Sequence, residues 1–486
     1  MRIAAALGLA ALAFGCASLP EVHPWIQPAA ETRAPAMVGS RGPISPKRSE
    51  VIRARIQARG GGADILDRHL AVEEEVAGQP LTLGNHASVL YDGPAFYRSM
   101  FEAIGSAQDH VNVEFYIFED DEIGRRFSDL LLRKAAEGVA VALMYDSVGC
   151  SKTPPAFFQR LRDGGVKVLE YNPINPLKVR GAWRLNNRNH RKVVIVDGAV
   201  GYTGGINISE VYSSSSSPGR SGGTSRFSGG SAPFGPSGSG GSSPAGSRMG
   251  SAPEGRVVGW RDTNVRIQGP AVAQLQQLFM ETWAKQRGEA LPERNWYPQL
   301  ERSGSHPVRI VASGPGDPVP AIYVATLSAI AHAEKSVRIT MAYFVPDPQT
   351  LEALKSAAAR GVEVTLLLPS YTDFWAVFHA GRSHYAELLD AGVRIYERQE
   401  ALLHAKSIVI DSVWSTVGSS NMDWRSFLHN EELNAVILGW DFGKQMDAMF
   451  ERDLQSSMKI EPEAWASRPL DVRLKELAAR VWEYWL

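Results

Sequence analysis

One block of sequence occurs twice in this chain, and that repetition limits what the chain can fold into. "NHRKVVIVD" occupies residues 189–197 and "LHAKSIVID" residues 403–411. Each holds a His, a Lys two places on and an Asp five places after that, before or within a short apolar run. The surroundings repeat as well. "HVNVEFYIF" (110–118), "VAVALMYD" (139–146) and "VKVLEYN" (166–172) read as strands, with amphipathic helices at 124–138 and 155–165. "SVRITMAYFV" (336–345), "VEVTLLLP" (362–369) and "VRIYER" (393–398) return in the same order, with helices at 351–361 and 384–392. Strands alternating with helices predict an α/β fold, and 486 residues, 44% of them hydrophobic, are enough for two such domains.

The copies agree again after the motifs, where "GGIN" (204–207) matches "GSSN" (418–421). Residues 213–256 then break the first copy with a run dominated by Ser, Gly and Pro. Such a run cannot bury enough surface to fold and reads as a flexible insertion. Removing it brings "DTNVRI" (262–267) into register with "ELNAVI" (432–437). The expected organisation is a signal-like peptide at 1–16, then a Pro-rich tether and helical lead at 17–80. The first domain follows at 81–285, the second at 306–465 and a helical tail at 466–486.

A strand puts alternate side chains on one face, so His190 and Lys192 point together, as do His404 and Lys406. A pseudo-twofold pairing of the domains would gather two imidazoles, two ammonium groups, Asn207 and Asn421 in one pocket. That set suits a phosphodiester. One neutral His attacks phosphorus and the other gives a proton to the leaving oxygen. The Lys and Asn side chains hold the equatorial oxygens. Asp197 and Asp411 are expected to accept from the far ring nitrogens of the histidines. No cofactor is called for, and no His/carboxylate cluster has metal-ligand spacing. A single motif is weak, since His and Lys often sit on a solvated strand; two at matched positions point to catalysis.

With "WRDTNVRIQGPAVAQLQQLF", "YFVPD" and "VGSSNMDWRSFLHNEELN", these motifs resemble the phospholipase D superfamily, in its bacterial cardiolipin synthase branch, from about Leu83 to Trp465. The resemblance implies two duplicated α/β/α sandwich-like domains packed as a pseudo-dimer around one active site. It also implies phosphatidyl transfer through a phosphohistidine, with His190 as nucleophile and His404 as acid and then base. Phosphatidylglycerol is the implied substrate, with phosphatidylethanolamine as a second candidate, at a membrane surface. Hydrolysis by the same intermediate, a nuclease and a non-catalytic binding module are the competing readings. A net charge of −1 argues against a nucleic-acid partner.

Glu114 and Ser419 are further candidate substrate contacts, against the alternatives of a buried structural carboxylate and a turn cap. Asp262, Glu431 and Glu432 either buffer the Lys and His groups or form solvated ion pairs. Residues 371–385, with Phe374, Trp375 and Phe378, form either an interfacial helix or domain-interface packing; with Trp183 they are candidates for an apolar rim. "VWEYWL" (481–486) either touches a membrane or docks on the body. Arg2, the apolar run from Ile3 to Phe14, and Cys16 resemble a bacterial lipoprotein signal, with Cys16 lipidated. The expected location is therefore the bacterial envelope, lipid-anchored and facing the periplasm.

Overall fold

Both halves of the chain build the same seven-stranded mixed sheet. A computed structural model describes residues 19–26, 35–59, 65–178, 184, 186–214 and 259–483. Cys16 and its leader, Trp183 and nearly all of the insertion at 213–256 lie outside the described residues. In the first half the strands are β1 (Leu81–Leu90), β2 (His110–Phe115), β3 (Ala140–Asp146), β4 (Lys167–Tyr171), β5 (Val193–Val196), β6 (Val200–Gly204) and β7 (Asn264–Gln268). Their order is β4-β3-β2-β5-β6-β7-β1, parallel across β4-β3-β2 and antiparallel beyond. The second half contributes β8 (His306–Ser313), β9 (Ser336–Met341), β10 (Glu363–Pro369), β11 (Arg394–Arg398), β12 (Lys406–Ile410), β13 (Trp414–Gly418) and β14 (Asn430–Leu438). They take the matching order β11-β10-β9-β12-β13-β14-β8.

The halves are joined where β1 pairs antiparallel with β8, Thr82 opposite Val308 and Asn85 opposite His306. Apolar side chains from the inner faces of both sheets then merge into one core, including Val193, Ile195 and Val265 from the first and Val409, Leu433 and Ile437 from the second. β-Branched residues dominate these buried strands, as a pleated sheet covered on both faces favours. Helix starts repeat too. Asp121 caps Glu122–Ala136 by accepting from Gly124 N, and Asp347 caps Pro348–Ala359 by accepting from Gln349 N and Thr350 N.

The N-terminal lead departs from the expected tether. Its helix Ile65–Ala77 packs Ile65, Leu66 and Leu70 into the core of the second domain, not the first. Glu73 anchors it there, accepting from Arg309 at 2.8 Å, Trp414 Nε1 at 2.8 Å and His69 at 2.9 Å. Within 20–46, Val22 is buried and donates its N–H to Gln349, and Met37–Gly39 pairs with β1. Those parts of the stretch are folded against the body, because their few apolar residues find a place in its core.

Candidate active site

Two short parallel bridges stitch the domains together at the motifs. Arg188–Asn189 pairs with Asn430–Glu431, and Trp260–Arg261 pairs with Leu402–Leu403. The backbone contact extends to each His: His190 N donates to Glu431 O at 3.0 Å and His404 N to Arg261 O at 2.8 Å. The next residue on each crossing strand then supplies an acid. Glu432 of the second domain accepts from His190 Nδ1 at 2.9 Å, and Asp262 of the first accepts from His404 Nδ1 at 2.7 Å. Both carboxylates are fully buried. Each imidazole is therefore oriented by the opposite copy, and its Nε2 is the nitrogen left for chemistry.

This corrects the role expected for the motif aspartates. Asp197 accepts from the backbone N–H groups of Gln108, Asp109 and His110, and Asp411 from those of Glu334, Lys335 and Ser336. Both sit at positive φ, 51° and 53°, a conformation that Asp tolerates better than most residues. They close the turn after β5 and β12 onto the start of β2 and β9. Neither bonds the imidazole of its motif histidine, because five residues of strand carry it to the other end of the hairpin.

Lys192 and Lys406 lie beside their histidines. Lys192 Nζ donates to His190 O at 2.5 Å, and Lys406 Nζ to His404 O. Lys406 Nζ also lies 3.0 Å from His404 Nδ1, but a nitrogen donating to Asp262 cannot accept a second hydrogen, so the carbonyl is the acceptor. The Asn pair is symmetrical. Asn207 Oδ1 accepts from Ile117 N at 3.0 Å and Asn421 Oδ1 from Tyr343 N at 3.4 Å, which ties each to the end of its neighbouring strand. The glycines of the same motif permit close approach. A Cβ on Gly204 or Gly418 would overlap the amide of Asn264 or Asn434, and one on Gly205 would overlap the Asp262 carboxylate.

Ser419 stands where the first copy has Gly205, and its hydroxyl donates to Glu432 Oε2 at 2.5 Å. It supports the acid rather than facing a substrate. Glu114 is also corrected: it is buried in β2 and accepts from Asn189 Nδ2 at 2.5 Å, holding the bridge that carries His190. Glu431 pairs with Arg191 at 2.7 Å, on the strand face opposite Lys192. A cavity of about 770 Å³, lined by Glu431, Tyr171 and Lys285 among others, opens on that Arg191 side, away from the histidine pair. Aromatic rings wall the site, and of these sequence reasoning missed Trp260 and Tyr212. Tyr116 lies 5.0 Å from the His190 ring; Trp260 and Tyr212 lie 5.1 and 5.9 Å from His404. The Trp of "WRDT" was their one visible signal.

Burial sets the protonation states. It holds His190 well below the usual histidine range, helped by the charges of Lys192, Lys406 and His404. The two motifs therefore lie close enough for their charges to interact. His404 is lowered by burial and Lys406, with Asp262 pulling the other way. Burial brings Lys192 down to about 7 and Lys406 to about 8. It pushes Glu432 up to about 7 against the pull of Lys192. Among the described residues no group of three His, Cys, Asp or Glu side chains could hold a metal ion.

Paired His/Lys motifs sharing one buried site on a duplicated α/β fold define a phospholipase D-like enzyme. Residues 100–215 and 326–454 match the family described as cardiolipin synthase, PLD-like domain, and the chain belongs to that family. A cardiolipin synthase of Geobacillus thermodenitrificans is 34% identical over 415 residues, covering 85% of this chain and 74% of that protein. A cardiolipin synthase 2 of Bacillus cereus is 34% identical over 394 residues, covering 81% and 69%. The solved phosphatidylserine synthase of Haemophilus influenzae shares the fold, with a TM-score of 0.58 at 13% identity over 85% of this chain and 99% of that one.

Proposed function

We propose that this chain transfers a phosphatidyl group between phospholipids, making cardiolipin from phosphatidylglycerol. The crossed His–carboxylate pairs carry the reading, since they fix two imidazoles in one site beside two buried lysines. His190 Nε2 attacks the phosphorus of one phosphatidylglycerol, the P–O bond to its terminal glycerol breaks, and His404 gives that oxygen a proton. The hydroxyl of a second phosphatidylglycerol then loses its proton to His404 and attacks. The P–N bond breaks, His190 is restored, and cardiolipin and glycerol leave. Lys192, Lys406 and the amide N–H groups of Asn207 and Asn421 hold the phosphoryl oxygens as charge spreads over them. Phosphatidylethanolamine is the alternative donor, with ethanolamine as its leaving group. Attachment to the envelope through a lipidated Cys16 would keep the enzyme beside these substrates, and Cys16→Ser should abolish labelling by fatty acid.

The test is product analysis on phosphatidylglycerol vesicles, with radiolabelled substrate to trap the intermediate. Cardiolipin plus glycerol is expected, and label should remain on His404→Asn but not on His190→Ala. Phosphatidic acid as the sole product would replace transfer by hydrolysis, and the reverse labelling would exchange the two histidines.

A further inference from the structure

The helix Leu470–Arg480 is built inside out. Its body-facing side holds Glu476 and Ala479, both buried, while Leu470, Leu474 and Leu477 are 73%, 65% and 65% exposed and Val481 just beyond is 77% exposed. At 100° per residue these four fall within one narrow stripe, about 180° from Ala479. The helix is nonetheless firmly seated. Glu476 accepts from Arg468 at 2.7 Å, Glu483 accepts from His384 Nε2 at 3.1 Å, and Ala479 packs with Val377 and Ala380 of the helix Trp375–Arg382. An ordered helix that turns its leucines outward and its glutamate inward has its partner outside this chain's own core.

We infer that this stripe is a membrane-docking face that lies flat on an anionic lipid bilayer beside the mouth of the active site. The inference rests on the phospholipid reading above and adds how the site meets its substrate. Three observations select lipid. The stripe is flanked on one side by Arg473 and Arg480; of the acids nearby, Glu476 is turned onto Arg468, Glu483 onto His384 and Arg480, and Asp471 onto Lys475 at 3.0 Å, so the exposed charge beside the stripe is basic. Trp482, 60% exposed, follows the stripe's last residue, and its amphipathic ring favours the headgroup level. The face is also continuous with the site. The partner helix Trp375–Arg382 follows Phe374, half exposed, and Asp373, which accepts from Tyr343 Oη at 2.6 Å; the Tyr343 ring lies 6.4 Å from that of His404. Among the described residues no helix is long and apolar enough to cross a membrane, so a helix lying in the interface is the geometry this segment can supply.

The experiment compares the full-length protein with Leu474→Glu/Leu477→Glu, neither residue being in the catalytic machinery. Flotation with phosphatidylglycerol and with phosphatidylcholine vesicles measures binding, and hydrogen exchange of residues 470–483 on the vesicles measures local contact. Turnover in detergent micelles is measured separately. The wild type should prefer phosphatidylglycerol vesicles and gain protection over 470–483. The variant should bind at least ~10-fold more weakly, lose that protection and keep its micellar turnover. Where an acyl chain carries both proteins to vesicles, the exchange pattern decides. Unchanged protection in the variant, or protection absent in the wild type, overturns the inference. So does a dimer, seen by light scattering, that the substitutions dissolve without changing vesicle binding, since the stripe would then meet a second copy. Stripe-dependent binding without any micellar turnover would leave the docking face standing and remove the transferase reading instead.

Discussion

The acids that cross between the domains should matter far more to turnover than the aspartates of the motifs themselves. Glu432→Gln and Asp262→Asn are nearly isosteric and keep an oxygen for the Nδ1–H, but they remove the charge that stabilises each imidazolium. The N···O separations are 2.9 and 2.7 Å. They put the charge centres ~4 Å apart, worth up to about 4 kcal/mol at an effective dielectric of ~20, and less at Glu432, which carries only part of its charge near neutrality. At ~1.4 kcal/mol per decade the full value becomes roughly a 10³-fold loss of kcat. Asp197→Asn is the control. It keeps one acceptor for the N–H groups of residues 108–110 and tolerates φ of 51°. It should cost ~1–3 kcal/mol of stability and leave the turnover of folded enzyme close to wild type. The assay is initial-rate turnover of labelled phosphatidylglycerol in micelles, normalised to the folded fraction from a melting curve. Equal losses in Asp197→Asn and Glu432→Gln, both fully folded, would refute the assignment of the orienting role to the crossed acids.

Three further outcomes follow from particular contacts. Gly205→Ala pushes a methyl into the Asp262 carboxylate and should lower kcat at least ~10-fold with the fold retained, which circular dichroism and rates together would check. Excising 215–258 should leave melting temperature and turnover nearly unchanged when Ser214 is joined to Gly259 through a short Gly linker. A Cβ on Gly259 would meet the Ser214 hydroxyl, so the loop ends already touch, and long surface loops add little closure entropy. In pH profiles kcat/KM should fall as pH rises through about 7 to 8, where Lys192 and Lys406 lose their protons; Lys192→Arg should move that limb to higher pH.

The duplication and the order of strands and helices along each copy could be read from sequence, because they are written in hydrophobic period and in local repeats. The side-chain direction of His and Lys was legible for the same reason: alternation along a strand is a local property. What sequence could not decide was which acid meets which histidine. The spacing H-x-K-x(4)-D invites a pairing within the motif, yet a strand of that length carries the Asp to the far end of the hairpin, onto backbone N–H groups. Asp262 and Glu432 were visible as matched positions, but only the crossing bridges at 188–189 and 260–261 bring them to the opposite copy's imidazole. The packing of the N-terminal lead is not legible for a related reason: the partners of Glu73, Arg309 and Trp414, lie more than two hundred residues away.

The pseudo-symmetry is broken where the two proposed histidine roles differ. The acid facing His404 is Asp262, packed against a glycine; the acid facing His190 is Glu432, bonded by Ser419 and Asn430. Burial pushes Glu432 up to about 7, so near neutrality it carries only part of its charge. His190, held by that weakened anion and exposed to the fields of Lys192 and Lys406, is strongly biased to the neutral form. A neutral imidazole is what an attack on phosphorus requires. Asp262 acts directly to raise His404, against burial and Lys406, and so favours a proton there. A proton held at that ring is what a leaving alkoxide requires. Because each acid is lent by the other copy, neither domain alone contains an oriented imidazole. The two copies therefore depend on each other for that orientation, and they differ at Gly205/Ser419 and at Asp262/Glu432, the positions that set each acid's surroundings.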